Sequence, residues 1–173
     1  MPHQLDGIFK PSTVAVIGAS TRKGTIGRET LHNILMAEFN GKVFPVNPKA
    51  GVIHSIKAYP TILDVPDPVD LAIVIVPKDF VKDVVIQCGE KGVKGLVVIS
   101  AGFSEVGPEG KKRELEVLKE VRRFGMRMMG PNCFGVVNTH PDLNLNATFG
   151  KTFPKRGRIG FITQSGAMGE AIM

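Results

Sequence analysis

The chain has 173 residues, 22 lysines and arginines against 16 acidic residues, a net charge of +6 and two cysteines. That length bounds it to about one ordinary domain of 100–200 residues, and Cys88 and Cys133, without CxxC spacing, exclude a disulfide framework or a zinc site built on cysteine. No apolar run approaches the roughly 20 residues that span a bilayer, and residues 1–6 carry no signal-peptide pattern, so the expected setting is the cytoplasm, away from membranes.

The first element is an apolar strand over residues 13–17. It runs into Gly18-Ala19-Ser20-Thr21-Arg22-Lys23-Gly24-Thr25-Ile26-Gly27 and then into a helical pattern with Leu31, Ile34 and Leu35 on one side. Strand, glycine turn and helix in that order present backbone N–H groups and a helix N-terminus to an anion. The spacing departs from G-x-G-x-x-G, and Arg22 and Lys23 stand inside the loop. Asn40-Gly41 is the expected stop of the helix.

A second strand, residues 42–46, ends in Asn47-Pro48-Lys49. A fold that holds plain NAD usually has an Asp or Glu there for the ribose 2'-hydroxyl. Lys49 instead favours a phosphorylated ribose, which leaves NADP and coenzyme A both open. Residues 71–76 form a continuous apolar run, expected to be buried on both faces. Pro77 ends it, and a helix follows with Phe80, Val81, Val84, Val85 and Cys88 on one stripe, so Cys88 reads as core. A fourth strand over 95–100 leads through Ala101-Gly102-Phe103 to a charged helix near 109–124, with Leu115, Leu118 and Val121 as its packing face. A short strand at 127–129 precedes Gly130-Pro131-Asn132-Cys133. Strands alternating with helices define an α/β fold with a mainly parallel sheet.

The first domain is expected to close at residue 138, with 139–157 as a linker. Residues 158–163 read as a new strand, and Gln164-Ser165-Gly166-Ala167 as the start of another phosphate-facing helix. A strand and one helical turn make no domain, so the sequence reads as a piece of a longer protein. Its exposed apolar residues Ile159, Phe161 and Ile162 make a homo-oligomer through that strand edge an expectation.

The basic residues do not argue for nucleic acid. Lys111-Lys112-Arg113 and Arg122-Arg123 share their helix with Glu109, Glu114, Glu116 and Glu120, a face of mixed sign. Lys151, Lys155, Arg156 and Arg158 have no aromatic interleaving, and the chain has one tyrosine and no tryptophan for base stacking. His3, His32, His54 and His140 are scattered without ligand spacing, so no metal site is expected.

Several motifs in order then identify a likeness. They are Phe9-Lys10-Pro11-Ser12 before Val14-Ala15-Val16-Ile17-Gly18-Ala19-Ser20, then Val46-Asn47-Pro48-Lys49, Val69-Asp70-Leu71-Ala72 with Val76-Pro77, Ser100-Ala101-Gly102-Phe103-Ser104-Glu105, Gly130-Pro131-Asn132-Cys133, and Gln164-Ser165-Gly166-Ala167. The whole chain resembles the NDP-forming acyl-CoA synthetases, the family of the ADP-forming acetyl-CoA synthetase α subunit and a relative of the succinyl-CoA synthetase α subunit. The resemblance implies a Rossmann-like, doubly wound CoA-binding domain followed by the truncated start of a flavodoxin-like domain. An ATP-grasp unit, as a subunit or a fused domain, would handle ATP or ADP with Mg.

The implied reaction takes acyl-CoA, ADP and phosphate to the acid, CoA and ATP through an acyl phosphate and a phosphohistidine. By the same resemblance, Gly18, Ser20, Thr21, Arg22, Lys23 and Gly24 line the CoA phosphates, and Asn47 and Lys49 add a polar and a basic contact. Val76, Pro77, Ile99, Ser100 and Ala101 border the nucleotide and pantetheine path, with Asn132 and Cys133 near the thiol end. Ser165 and Gly166 face the phosphohistidine, which none of the four histidines matches, so no catalytic residue is expected in this chain. Two other readings remain open: a non-catalytic CoA or nucleotide sensor attached to a protein acetyltransferase, and an NADP-binding module.

Overall fold

The computed structural model describes residues 4–173, so the expectations that rest on residues 1–3, His3 among them, lie outside the described residues. In chain order the elements are α1 (Asp6–Phe9), β1 (Thr13–Ile17), α2 (Ile26–Met36), β2 (Lys42–Val46), β3 (Val52–Ile53), β4 (Ile56–Lys57), β5 (Leu71–Val74), α3 (Lys78–Lys91), β6 (Gly95–Val98), α4 (Pro108–Arg123), β7 (Arg127–Met129), β8 (Gly135–Asn138), β9 (Leu145–Thr148) and α5 (Gly166–Ile172). Short 3-10 turns lie at Ile62–Asp64 and Ser104–Val106. No helix among the described residues is long and apolar enough to cross a membrane.

Five strands form one parallel sheet in the order β2-β1-β5-β6-β7. Both faces are covered, which is why β5 and β6 are apolar at every position. Side-chain alternation divides the core between them. Ala15, Ile17, Ala72, Val74, Leu96 and Val98 meet Val81, Val85 and Cys88 of α3 and Val117 and Val121 of α4. Val14, Val16, Leu71, Ile73 and Val97 meet Leu31 and Ile34 of α2, Ile8 of α1, and Val136, Leu145 and Ala147 of the β8–β9 hairpin.

Four expectations are corrected by this packing. The α2 helix ends at Met36, before Asn40-Gly41, because Glu38 turns left-handed at φ 57°. Phe80 is 59% exposed and Leu115 57% exposed, since the buried stripe of α3 is Val81, Val85 and Cys88, and that of α4 is Gly110, Val117 and Val121. The expected linker over 139–157 contains β9, which pairs antiparallel with β8 across residue 138 and is buried at all four positions. Residues 158–163 form no strand; Ile159 and Ile162 are almost fully exposed, so no sheet edge stands there to pair.

At the N-terminal ends of the strands, Asp70 ties three elements together. Its carboxylate accepts the Ser12 N–H at 2.9 Å, the Thr13 hydroxyl at 3.2 Å and the Lys94 ammonium at 2.7 Å. Burial works against its ionisation, yet Lys94, Ser12 and Thr13 outweigh burial and hold the carboxyl below its ordinary value of 3.8. Asp70→Ala is expected to lower the unfolding free energy by about 1–3 kcal/mol at neutral pH. A depressed folded-state pKa gives stabilisation that is complete above the ordinary value and lost as pH falls through the folded one. Urea unfolding at a series of pH values should therefore show the wild-type advantage shrinking in acid.

Candidate functional site

After β1 the chain passes through α2 to β2 on one side, then crosses back so that β5 lies on the other side of β1. The strand ends thus part between β1 and β5, the place where open α/β sheets hold ligands. Gly18 leaves β1 at φ +92°, and a Cβ there would run into the Ile75 carbonyl at the end of β5; a Cβ on Gly27 would run into the Gly18 carbonyl. The two glycines let the first turn of α2 sit directly over the strand ends.

The loop between them is braced from within. The Ser20 hydroxyl accepts the Arg22 N–H at 3.1 Å, Thr25 donates its hydroxyl to the Arg22 carbonyl at 2.7 Å, and the Arg28 guanidinium donates to the Thr21 carbonyl at 3.3 Å. Thr25 begins the helix in an extended conformation without capping it through its side chain, which leaves the first helical amides unclaimed by a side-chain cap, at a helix end whose dipole favours an anion. The Gly24 amide is occupied: it donates to Glu29 at 2.9 Å. Arg22 and Lys23 are exposed and form no ion pair among the described residues.

Asn47, at the end of β2, is spent on the backbone. Its amide nitrogen donates to the Ala19 carbonyl at 2.7 Å and its oxygen accepts the Lys49 N–H at 2.7 Å. It therefore joins the glycine loop to Lys49, which is exposed and forms no ion pair among the described residues. Ser100 does the same between β5 and β6, donating to the Val76 carbonyl at 2.6 Å and accepting the Val76 N–H at 3.1 Å. Val76 and Pro77 stand at the β5 exit, with Pro77 starting α3. Ala101 is exposed beside them, and Ile99 is buried in the core.

The Asn132 N–H donates to the Ser100 carbonyl at 3.0 Å, which brings the segment after β7 to the same rim. The Cys133 thiol donates to the Val98 carbonyl at 3.3 Å and is pushed up to about 11 by burial. Phe134, next in the chain, lies against Gly166 and Gly169 of α5, whose N-cap Ser165 accepts the Met168 N–H at 3.3 Å. The structure thus gathers the glycine loop, Asn47, Lys49, Val76, Pro77, Ser100, Ala101 and Asn132 on one rim and sets α5 against Phe134. Sequence reasoning missed Arg28 and Glu29; both fall in the first turn once the helix is started at Ile26.

This rim belongs to a recognisable class of nucleotide-type cofactor folds. Residues 12–139 match the family described as CoA binding domain, and the chain belongs to that family. Over 98% of its length it is 49% identical to the acetate–CoA ligase [ADP-forming] II subunit alpha of Pyrococcus furiosus, and over 99% it is 48% identical to the acetate–CoA ligase [ADP-forming] of Methanocaldococcus jannaschii. It spans 36% and 23% of those two proteins. A solved structure of the dinucleotide-forming acetyl-coenzyme A synthetase 1 of Candidatus Korarchaeum cryptofilum, in complex with phosphate and ADP, superposes with a TM-score of 0.91 at 45% identity. That match covers 98% of this chain and 36% of the other.

The two thiols are expected to be inert. With Cys88 raised to about 12 and Cys133 to about 11 by burial, roughly one Cys133 in a thousand is thiolate near pH 8. Iodoacetamide labelling followed by peptide mass spectrometry should show both reacting roughly a hundredfold or more slowly than free cysteine; labelling at the free rate would refute the burial.

Proposed function

We propose that this chain is the CoA-binding region of a cytoplasmic ADP-forming acid–CoA ligase, which converts acyl-CoA, ADP and phosphate to the acid, CoA and ATP. The observation that carries this reading is the meeting of three cations without an ion pair among the described residues, Arg22, Lys23 and Lys49, with an uncapped helix N-terminus at the switch point of a parallel sheet. Such a rim suits a ligand with a pyrophosphate and a separate ribose phosphate.

In this reading the α2 amides, Arg22 and Lys23 take the pyrophosphate, and Lys49 takes the 3'-phosphate. Asn47 and Ser100 act through the backbone, holding Lys49 and Val76 at fixed distances from the loop. Val76, Pro77 and Ala101 line the path of the adenosine and pantetheine, and Asn132 and Cys133 mark its thiol end. A Cys133 thiol that stays protonated does not compete with the CoA thiol as a nucleophile. The Ser165–Gly166 turn, leaning on Phe134, would face a phosphohistidine supplied by another part of the ligase. ADP and Mg are assigned to an ATP-grasp unit, as a separate subunit or a fused domain.

The test is calorimetric titration with CoA, 3'-dephospho-CoA and NADP at two salt concentrations. Lys49→Ala is expected to weaken CoA about tenfold, near 1.4 kcal/mol, and to leave 3'-dephospho-CoA unchanged. Joint replacement of Arg22 and Lys23 by alanine should weaken both coenzymes and flatten the salt dependence. Failure of CoA to bind, or equal binding by the charge-deleted variants, would sink the assignment.

A further inference from the structure

His54 sits at the tip of the β3–β4 hairpin, and its ring stacks on that of His32 in α2, with centroids 5.3 Å and planes 24° apart. Both tip residues are left-handed, His54 at φ 52° and Ser55 at φ 62°, although neither is glycine. Such a conformation persists where surrounding packing over-determines it. Here Ile53 and Ala58 are buried in the same core layer as Leu31 and Ile34 of α2. The Nε2 atom of His54 is buried and has no hydrogen-bond partner among the described residues.

The charged and titratable groups facing the ring come from α2: Arg28, Glu29 and His32. Burial, then Arg28 and His32, hold the imidazole below its ordinary value of 6.5 against the opposing pull of Glu29.

The hairpin is the continuation of the Lys49 segment. The Asn47 N–H donates to the Tyr59 carbonyl at 2.8 Å and the Ala58 N–H to the Gly51 carbonyl at 2.8 Å, so residues 47–59 form one closed excursion from the end of β2 with Lys49 inside it. On the other side, Arg28 holds the Thr21 carbonyl of the glycine loop. His54 therefore packs against α2 where the supports of the two cationic segments come together.

We propose that His54 is a positioning residue for Lys49: stacked on His32 as the neutral imidazole, it pins the 47–59 excursion to α2 and so sets where Lys49 meets the coenzyme. The inference rests on the coenzyme reading above. Protonation would place a second cation beside Arg28 and give both ring nitrogens an N–H, although the buried Nε2 meets no acceptor among the described residues. Because the docked imidazole titrates lower than a free one, docking is unaffected well above pH 6.5 and weakens as pH falls from there towards the docked value.

The test uses the full chain as wild type, His54→Asn and His32→Phe. Asparagine tolerates the left-handed turn but removes the ring and its titration, whereas phenylalanine at 32 keeps a ring to stack on. Two readouts are taken at about pH 7.5 and about pH 5.5: exchange protection of the Lys49 and Ala58 amides, each referred to its unstructured rate, and the ratio of CoA to 3'-dephospho-CoA affinity.

Wild type is expected to lose protection on acidification, by less than about tenfold, and to lose part of the affinity ratio with it. His54→Asn should be low in both at the higher pH and change little, while His32→Phe should match wild type there. The 3'-phosphate itself titrates in this range, so the difference between wild type and His54→Asn carries the result. Equal protection and an equal affinity ratio in those two proteins would overturn the proposal, and altered protection with an unchanged ratio would overturn the role of Lys49 in it. His54-dependent protection in a chain that binds no CoA would instead overturn the coenzyme reading and leave the pinning in place.

Discussion

Everything at the rim follows from a lack of room between β1, α2 and β5. The Gly18 and Gly27 positions have no space for a side chain against the Ile75 and Gly18 carbonyls, so the first turn of α2 is held against the strand ends. A helix N-terminus placed in this way presents its dipole and its uncapped amides to the crevice without any side chain having to move. The side chains nearby that do form bonds mostly form them with backbone: Asn47 with Ala19 and Lys49, Ser100 with Val76, Arg28 with Thr21. These bonds brace the strand exits in two pairs, β1 with β2 and β5 with β6, and a braced rim loses less freedom when a ligand arrives.

Charge is distributed on the same logic. Lys42, Lys82 and Lys94 are each paired, with Asp67, Glu116 and Asp70. Arg22, Lys23 and Lys49, by contrast, have no carboxylate partner among the described residues, while the one nearby acid that reaches the loop, Glu29, is occupied with the Gly24 amide. Arg22, Lys23 and Lys49 thus place part of the positive excess of the chain at the rim, a local field of the sign that attracts an anion.

The sheet was legible because strands buried on both faces leave long apolar runs, as in β5 and β6, and the glycine loop and Lys49 were legible because their spacing and charge are local. What failed depends on tertiary partners. Phe80 and Leu115 lie next to the true stripes of their helices, and only the packing of α3 and α4 decides which side faces in. The β9 strand hides behind polar letters: Asn146 and Thr148 are buried, with Thr148 donating its hydroxyl to Asn146 at 2.7 Å. Residues 158–163 err the other way, apolar in sequence but without strands to pair with. Nothing in the segments of Asn47 and Ser100 reveals the bonds these side chains make to the neighbouring strand ends. The stacking of His32 on His54 joins two segments that spacing cannot relate.

The β8–β9 hairpin sets a boundary that the family likeness does not. The match to the CoA binding domain stops at residue 139, yet Leu145 and Ala147 complete the core layer over α2, and Asn33 in that helix donates to the carbonyls of Thr148 and Gly150 at 2.9 and 2.7 Å. The unit that folds together is therefore longer than the unit that is conserved in name. Any recombination that moved this module into another chain would have to carry the hairpin with it, or leave α2 without its floor.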